Sequence, residues 1–124
     1  GAGSLELSIA GLYSEGVFYD SLLYSNRFAA FDAASGRVLW RTPTTGRVKM
    51  SAVLKDGLVY FGDTAGYFYV VRATDGAILA KTKFPEIFTT SPPVIVGDRL
   101  FVANSSTLYA LRLEDLRRGV ISAP

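Results

Sequence analysis

The 124-residue chain contains no cysteine and no histidine, and these two absences remove most of the side chains that enzymes use for chemistry. Without cysteine it forms no disulfide and has no thiolate nucleophile, and without histidine it lacks the commonest general base. Almost every zinc or haem site needs at least one of the two residues as a ligand. The composition therefore favours a chain that is not an enzyme.

The chain also lacks a large excess of positive or negative charge, and it lacks long apolar runs. Thirteen basic and eleven acidic residues leave a formal net charge of +2, and the only adjacent basic pair, Arg117-Arg118, is interpreted as a solvated turn. So small a charge predicts no nucleic-acid partner. No apolar run approaches the roughly 18 residues of a membrane-spanning helix, so we expect no membrane span.

What the chain does contain is a repeat of about forty residues. Its clearest copy, Phe28-Ala-Ala-Phe-Asp32, recurs as Phe68-Tyr-Val-Val-Arg72 and as Leu108-Tyr-Ala-Leu-Arg112. A second set of aligned segments is Leu22-Leu-Tyr24, Leu58-Val-Tyr60 and Leu100-Phe-Val102. A period near forty with several short strands in each unit is typical of β-propeller blades.

Turn signals such as Asp56-Gly57 divide each repeat into short runs rich in Val, Leu, Phe and Tyr, which predict strands. The sequence thus predicts an all-β fold of about three four-stranded antiparallel blades, a partial or open β-propeller. We expect one domain over residues 1–124, with repeats at about 16–43, 49–83 and 90–122. Residues 1–15, with the alternating segment Leu5–Ile9, would supply a strand from a neighbouring blade or one that completes the last blade.

The predicted strands can be given for each repeat in turn. In the first repeat they are Gly16–Tyr19, Leu22–Ser25, Arg27–Asp32 and Arg37–Arg41. In the second they are Lys49–Leu54, Leu58–Phe61, Tyr67–Arg72 and Ala77–Lys81. In the third they are Thr90–Val96, Arg99–Ala103, Thr107–Leu113 and Val120–Ser122, with a short helical turn at Glu114–Arg118.

The most specific motif runs from Ala30 to Trp40, as Ala30-Phe-Asp32-Ala-Ala-Ser35-Gly36-Arg-Val-Leu-Trp40. The Asp32 carboxylate can accept backbone N–H groups of the following turn, and the Ser35 hydroxyl can bond the same turn. Gly36 supplies a left-handed conformation. Trp40, the only tryptophan, is expected to lie flat between blades with its N–H on a buried carbonyl. Ala30 must be small if the ring of a neighbouring blade is to fit over it.

This segment resembles the tryptophan-docking motif Ala-x-Asp-x-x-Thr-Gly-x-x-x-Trp of quinoprotein-type propellers, and only Ser35 departs from it. The chain is therefore similar to a PQQ-repeat segment over roughly residues 16–120, within the WD40- and quinoprotein-like propellers. The resemblance implies a structural docking role for Ala30, Asp32, Ser35, Gly36 and Trp40.

The other two copies of this motif have diverged. In the second copy Arg72, Asp75 and Ala80 replace the aspartate, the serine and the tryptophan, so that only Gly76 remains. In the third, Arg112 replaces the aspartate and nothing matches the second half of the motif. We therefore expect regular packing between blades to be weakened, because a lost tryptophan removes a large contact.

For the dehydrogenases of this family the resemblance implies an eight-bladed ring, a catalytic aspartate, a bound Ca²⁺ and often a vicinal disulfide. This chain has no cysteine and no acidic cluster with the alternate spacing of a calcium loop. Three blades also cannot form the funnel that holds a quinone. We predict no catalytic, cofactor-binding or metal-binding residues and no cofactor. The alternative is a fragment of a PQQ- and Ca-dependent quinoprotein dehydrogenase.

An open stack of blades leaves faces and edges that need cover, which favours protein–protein interaction. Three arrangements stay open: a part of a larger propeller, a self-associating homo-oligomer, or pairing of a free edge with a strand of another protein. We expect a scaffold or sensor module in the periplasm, at the cell surface or outside the cell, with repeats like those of outer-membrane assembly lipoproteins. A sensor domain of a membrane-bound kinase is a third possibility.

Two smaller features have both a functional and a structural interpretation. Asp63-Thr-Ala-Gly66 has residue types that can coordinate a cation, although a turn between strands explains it better. Tyr60, Tyr67 and Tyr69 would form a surface that stacks on a sugar or another ligand if they shared a face. Packing within a sheet explains the same tyrosines.

Overall fold

The computed structural model describes residues 11–22 and 25–119. Within them the chain forms eleven strands and one five-residue helix, which is far too short to cross a membrane. In chain order the elements are β1 (Leu12–Ser14), β2 (Val17–Ser21), β3 (Arg27–Asp32), β4 (Val38–Pro43), β5 (Val53–Lys55), β6 (Leu58–Gly62), β7 (Tyr67–Arg72), β8 (Ile78–Lys83), β9 (Val94–Val96), β10 (Arg99–Ala103), β11 (Leu108–Arg112) and α1 (Leu113–Arg117).

The strands form three antiparallel sheets that follow one another along the chain. Blade 1 contains β1–β4, blade 2 contains β5–β8, and blade 3 contains β9–β11, each with its strands in sequential order. Blades 1 and 2 share an irregularity at equivalent positions, because the register shifts after Ala30 in β3 and after Val70 in β7. The prediction of an all-β, unclosed array of propeller-type blades is confirmed.

The predicted strand Leu22–Ser25 is wrong: Leu22 and Ser25 lie between β2 and β3, and residues 23–24 lie outside the description. The equivalent of β6 is β2, because Glu15-Gly16 and Asp56-Gly57 form matching turns with positive φ at all four residues. The β2–β3 connection has five residues (22–26) and the β6–β7 connection has four (63–66). The offset between the blades therefore falls from 41 to 40 residues within the repeat.

The predicted strand Lys49–Leu54 also needs correction, since only Val53–Lys55 pairs within blade 2. Residues 44–50 form a linker in which buried and exposed side chains alternate. Arg47 of the linker bonds to Thr64 in the loop between β6 and β7, through its N–H at 3.0 Å and its carbonyl at 2.8 Å. Alternation of buried and exposed residues indicates an extended backbone. In the linker this backbone packs on the loop between β6 and β7 and not beside another strand.

In blade 3 the first and third strands are shorter than predicted, and helix α1 follows β11 where a helical turn at Glu114–Arg118 was expected. The predicted fourth strand Val120–Ser122 and the segment Leu5–Ile9 lie outside the described residues. Within the range 1–15, β1 pairs with β2 and is the first strand of blade 1.

The core lies in two layers between the blades. Phe28 of blade 1 stacks on Phe61 of blade 2, with ring centres 4.1 Å apart. On the opposite face of blade 2, Phe68 makes edge contacts with Phe84 and Phe88 of the linker to blade 3. Blade 2 is therefore covered on both faces, whereas blade 3 is covered only on the face toward blade 2 within the described residues.

Candidate interaction site

The turn after β3 is held by the side chains that the motif predicts there. The Ser35 hydroxyl and N–H donate to Asp32 Oδ2 at 2.6 and 3.0 Å. These two hydrogen bonds hold the pKa of Asp32 below its ordinary value. Gly36 has a φ of +75°, and the Arg37 N–H donates to Ser35 Oγ at 3.2 Å. Asp32, Ser35 and Gly36 thus form one closed turn.

Trp40 lies in β4 and reaches across to blade 2. Its indole N–H donates to the Ala73 carbonyl at 2.9 Å, and the neighbouring Thr42 hydroxyl donates to the Gly76 carbonyl at 2.6 Å. A Cβ added at Gly76 would overlap the Trp40 ring and lie 2.7 Å from Thr42 Oγ1. The glycine is therefore needed both for its φ of +77° and for the close approach of the ring.

Ala30 lies opposite both Tyr19 and Trp40 in the ladder of blade 1. The two rings have their centres 6.0 Å apart, and Ala30 is fully buried between them. The motif residues Asp32, Ser35 and Gly36 therefore lie in one turn. The other two, Ala30 and Trp40, pair with each other across β3 and β4. Trp40 docks on the turn of the next blade.

That receiving turn belongs to the second copy of the motif, in which only Gly76 matches. Arg72 Nε and Nη2 donate to the two Asp75 carboxylate oxygens at 3.0 and 2.9 Å, in place of the Asp32–Ser35 contact. The Gly76 N–H donates to the Arg72 carbonyl at 2.8 Å, as Gly36 does to Asp32. Although the residue types of this copy have diverged, an exposed ion pair between Arg72 and Asp75 keeps the same backbone turn.

The interface between blades 2 and 3 uses a helix where the first uses a tryptophan. Ala80 stands at the position of Trp40, opposite Val70, which is in turn opposite Tyr60. Helix α1 packs against β8, and Arg117 Nε donates to the Tyr60 hydroxyl at 2.8 Å. Leu116 of α1 is buried. The helix therefore makes contacts that compensate for the absent aromatic ring.

Asp63 is a fully buried carboxylate that accepts four hydrogen bonds. The donors are the N–H groups of Gly46, Ala65 and Tyr67 at 2.9 to 3.0 Å and the Tyr69 hydroxyl at 2.6 Å. Burial, and next the bond to Asp63, raise the pKa of Tyr69. The carboxylate is saturated by protein donors, so Asp63–Gly66 acts as a turn and a brace and does not suit a cation.

Tyr60 does not share a face with Tyr67 and Tyr69. Tyr60 pairs with Val70 while Tyr69 pairs with Phe61, so their side chains point to opposite sides of blade 2, and both are fully buried. The hypothesis of a tyrosine-lined ligand surface is therefore wrong, because adjacent positions along strands alternate between the two faces of a sheet.

The family-implied Ca²⁺ and quinone find no matching donor set here. Across residues 11–22 and 25–119 no group of three or more His, Cys, Asp or Glu side chains converges. Asp32 bonds to Ser35 and Asp75 to Arg72, each within its own turn, and Asp63 is saturated. The described acidic residues therefore do not fit a bound Ca²⁺ or a quinone cofactor.

A groove of about 590 Å³ follows the seam between blades 1 and 2, beside the docked tryptophan. Tyr19, Trp40 and Leu54 line it, together with the charged Glu15 and Lys55. Burial, and next the Glu15 carboxylate, raise the pKa of Tyr19. The groove is an open continuation of the docking interface.

The face of blade 3 that points away from blade 2 has an exposed apolar patch, with the exposed Arg99 and Arg112 at one end of it. Leu108 is 72% exposed, whereas its equivalents Phe28 and Phe68 are 0% and 1% exposed under the next blade. On the same face Val94 and Val96 of β9 are 54% and 62% exposed. We call Val94, Val96, Phe101, Leu108 and Ala110 the free face.

The outer edge of blade 3 is also open within the described residues, because no strand there pairs with β11 on that side. In blades 1 and 2 the outer strands β4 and β8 cover β3 and β7 and carry Arg41, Pro43, Lys81 and Lys83. Such residues protect sheet edges, and β11 has apolar residues from Leu108 to Leu111 instead.

Sequence reasoning missed three residues of the docking contact: Thr42, whose hydroxyl donates beside Trp40, and Ala73 and Gly76, whose carbonyls accept. Thr42, Ala73 and Gly76 lie one repeat after the motif or just beside it, and their role appears only when two consecutive repeats are read together. The recurrence of Thr42 as Thr82 at a forty-residue offset is the available signal. The packing of α1 against blade 2 has no comparable signal.

Known proteins confirm the resemblance. The sequence model of the family described as outer membrane protein assembly factor BamB matches residues 24–119. The chain is 32% identical over 89 residues to BamB of Salmonella typhimurium and 30% identical over 88 residues to BamB of Yersinia pestis. These alignments cover 70% and 69% of this chain but only 23% and 22% of the relatives, so the chain spans about a quarter of their length.

Solved structures show the same fold at low sequence identity. BamB from Moraxella catarrhalis superposes with a TM-score of 0.70 at 14% identity, over 87% of this chain and 32% of that one. The computationally designed Ika4 protein gives 0.75 at 13% identity, over 97% and 73%. A europium-containing methanol dehydrogenase gives 0.72 at 16% identity, over 90% and 23%. With the repeat, the blades and the family match together, the chain belongs to the BamB family of PQQ-repeat β-propeller proteins.

Proposed function

We propose that this chain is a non-enzymatic protein-interaction module, built of propeller blades and acting as a scaffold in the periplasm, at the cell surface or outside the cell. The free face of blade 3 is the observation that carries the proposal. Its residues are equivalent to Tyr19, Phe28 and Ala30 of blade 1, which the next blade buries. An exposed patch with the composition of an internal interface marks a surface that a protein covers.

Self-association is the first arrangement that we propose for this face, with the chain acting as a homo-oligomer or as a part of a larger propeller. The length of the relatives supports further blades beyond these three, since the chain matches 23% of the Salmonella protein. The relatives are named as assembly factors for outer membrane proteins, which supports contact with other proteins near that membrane. Strand addition at the edge of β11 is the alternative mode of contact.

The five motif residues have a structural role in this proposal. Trp40 joins blade 1 to blade 2, Ala30 lies between the Tyr19 and Trp40 rings, and Asp32, Ser35 and Gly36 shape the equivalent turn of blade 1. We propose that they act as a docking motif and bind no substrate. A sensor role rests on the same surfaces.

Light scattering coupled to gel filtration tests self-association, over about a tenfold range of concentration. We expect the wild-type chain to exceed the monomer mass and Leu108→Glu to be monomeric, because a buried unpaired carboxylate is costly at an apolar interface. Leu79→Glu, at an exposed leucine of β8, is the matched control and should retain the wild-type mass. A monomer at every concentration would contradict self-association.

A fragment of a quinone- and Ca-dependent dehydrogenase is the second candidate, supported only by the likeness in fold to the methanol dehydrogenase. Titration with pyrroloquinoline quinone and Ca²⁺, followed by absorbance and by the unfolding midpoint, separates the two. We expect neither signal to change. Saturable binding of the quinone would contradict the scaffold proposal and support the dehydrogenase fragment.

A further inference from the structure

A row of basic side chains crosses the rim of the molecule where blade 1 passes into blade 2. It consists of Arg47 and Lys49 in the linker between β4 and β5, and of Lys81 and Lys83 in β8; we call these four residues the basic track. All four are exposed. They come from two separate segments of the sequence, and the fold brings the segments together.

Hydrogen bonds fix this arrangement. The Lys81 ammonium donates to Thr45 Oγ1 at 2.7 Å, which places the last part of β8 beside the start of the linker. The linker continues against the β6–β7 loop, where the Arg47 N–H donates to Thr64 Oγ1 at 3.0 Å. The basic track therefore follows one path, from Lys83 at the outer strand of blade 2 toward the inner strand β5.

Negative charge is scarce along this path. Asp63 lies beneath the linker, but its carboxylate is buried and saturated by four donors. Glu86 is exposed nearby, and its carboxylate accepts from Ser105 Oγ at 3.5 Å, on the side of blade 3. Residues 33–55 contain five basic residues and no acidic one. The basic track thus concentrates positive charge in a chain whose net charge is only +2.

The aromatic ring within the basic track is already engaged. The Lys81 ammonium is 4.6 Å from the ring centre of Tyr67, and the Lys83 ammonium is 5.8 Å from it. Cation–π contacts of this kind occupy the ring face. Tyr67 is therefore not an open platform for a nucleic-acid base, which single-strand binding surfaces require.

We propose that the basic track binds an extended acidic segment of a partner protein through carboxylates on alternate residues. Side chains that point the same way on extended backbone recur every two residues, about 6.6 Å apart. Lys81 and Lys83 of β8 have this spacing. Arg47 and Lys49 are the exposed residues of an alternating pattern in the linker, so alternate acidic side chains of an extended partner can meet each pair in order.

A single phosphate group fits this surface less well. Phosphate sites need donors that converge on one point, such as backbone N–H groups or a forked guanidinium. The basic track has a single guanidinium, that of Arg47, and the ammonium groups of Lys81 and Lys83 are held on separate acceptors, Thr45 Oγ1 and the Phe84 carbonyl. The spread of charge favours a linear polyanion of carboxylates.

Fluorescence anisotropy with a labelled Glu-Thr-Glu-Thr-Glu-Thr peptide tests the proposal, with the Gln-Thr repeat of equal length as control peptide. We expect binding of the glutamate peptide alone, weakened at least about tenfold when salt rises from about 50 mM to about 500 mM. The double variant Lys81→Gln/Lys83→Gln should lose about tenfold in affinity. Arg47→Gln/Lys49→Gln should lose a similar factor, and it keeps the test decisive if the first variant does not fold.

Arg37→Gln/Arg118→Gln is the matched control, because it removes two exposed charges that belong neither to the basic track nor to the free face, and it should keep the affinity within about twofold. Equal binding of the glutamine peptide, or an equal loss in this control, would overturn the proposal. Tighter binding of vesicles with phosphatidylglycerol, or of an oligothymidine, would also overturn it and would assign the basic track to lipid or to nucleic acid. These outcomes do not depend on self-association, since the free face of blade 3 stays intact in both double variants of the basic track.

Discussion

The two interfaces between blades are built differently from equivalent positions of one repeat. Between blades 1 and 2, one tryptophan donates to the Ala73 carbonyl and covers Gly76, and Thr42 completes the contact. Between blades 2 and 3, the tryptophan is replaced by Ala80, and α1 packs against β8 with Leu116 buried. At the second interface Ala80 therefore takes the place of Trp40, and α1 takes the place of the tight turn at Gly76.

This comparison shows that the docking motif is divided between two consecutive blades. The tryptophan side of one contact lies in blade 1 and the glycine side lies in blade 2, so a repeat can lose one half and keep the other. Blade 2 keeps the turn that receives Trp40 and lacks a tryptophan of its own. Divergence at Ala80 is compatible with packing because blade 3 has α1 where a tight turn would stand.

Removing the tryptophan is expected to have the largest effect. Trp40→Ala should lower the free energy of unfolding by about 3–5 kcal/mol, because it deletes a buried ring and leaves a cavity beside Gly76. Urea unfolding followed by far-UV circular dichroism measures this loss. Ala80→Gly is the matched change at the second interface and should cost about 1 kcal/mol. Equal losses in the two variants would contradict the asymmetry.

Truncating the helix contact tests the second interface. Leu116→Ala should lower the free energy of unfolding by about 2–4 kcal/mol, because the side chain is buried and little of the site can collapse. The same urea experiment applies. Leu79→Ala, at an exposed leucine of β8, should cost well under 1 kcal/mol. If Leu116→Ala costs as little as that control, α1 does not hold blade 3 to blade 2.

A pair of glycine substitutions isolates the close approach of Trp40. Gly76→Ala and Gly57→Ala both place an alanine at positive φ, which costs about 1 kcal/mol. Only the Cβ at Gly76 meets other atoms, since the position at Gly57 is open. We expect Gly76→Ala to cost about 2 kcal/mol more than Gly57→Ala. Equal unfolding midpoints in thermal denaturation would show that the ring does not need the glycine.

Two threonines at equivalent positions differ in their hydrogen bonds. The Thr42 hydroxyl donates to the Gly76 carbonyl, whereas the buried Thr82 hydroxyl has no partner among the described residues. Thr42→Val should cost about 1 kcal/mol, and Thr82→Val should be neutral or stabilising, because an unsatisfied buried hydroxyl is removed. Chemical denaturation of both variants measures the difference. A loss at Thr82 equal to that at Thr42 would reveal a partner for its hydroxyl.

The smallest effect concerns the two turns. The pKa of Asp32 is lowered by Ser35, so the stabilisation is present above the ordinary pKa of 3.8 and is lost as the pH falls through the lower folded value. Ser35→Ala should raise the pKa of Asp32 toward 3.8, as measured by NMR titration. The pKa of Asp75, lowered by Arg72, should stay unchanged in that variant. An unchanged pKa of Asp32 would remove Ser35 as the cause.

Much of the fold was predictable because hydrophobic runs and turn residues act locally. Asp56-Gly57 marks a hairpin, and the runs on either side of it form β5 and β6. The error at Leu22–Ser25 arose because Leu22-Leu-Tyr24 resembles Leu58-Val-Tyr60 in residue types, whereas the true equivalent, Val17-Phe-Tyr19, lies five residues earlier. The positive φ at Glu15 and Gly16 marks the turn that precedes it. The error at Lys49–Leu54 arose because alternation signals extended backbone without saying whether a strand lies beside it.

The site was predictable only in its donor half. The pattern from Ala30 to Trp40 indicates a turn and an inter-blade tryptophan, since those residue types have local reasons to occur at that spacing. The acceptors at Ala73 and Gly76 depend on which blade stacks on which. The exchange of the Asp32–Ser35 contact for the Arg72–Asp75 ion pair conceals the equivalence of the two turns from a comparison of residue types.

The amino-acid sequence alone was enough to derive the repeat, the antiparallel strands, the turn at Asp32 and the resemblance to PQQ-repeat propellers, because each rests on a pattern of residues within one repeat. Only the tertiary structure decided the partner of Trp40, the place of α1 against Tyr60, and the gathering of Arg47 and Lys81 on one rim. These depend on the stacking of separate blades, and residues distant in the chain carry no local signal of their proximity. The exposure of Leu108 has the same origin: it is equivalent to Phe28 and Phe68 in its own blade, and only the absence of a covering blade within the described residues sets it apart.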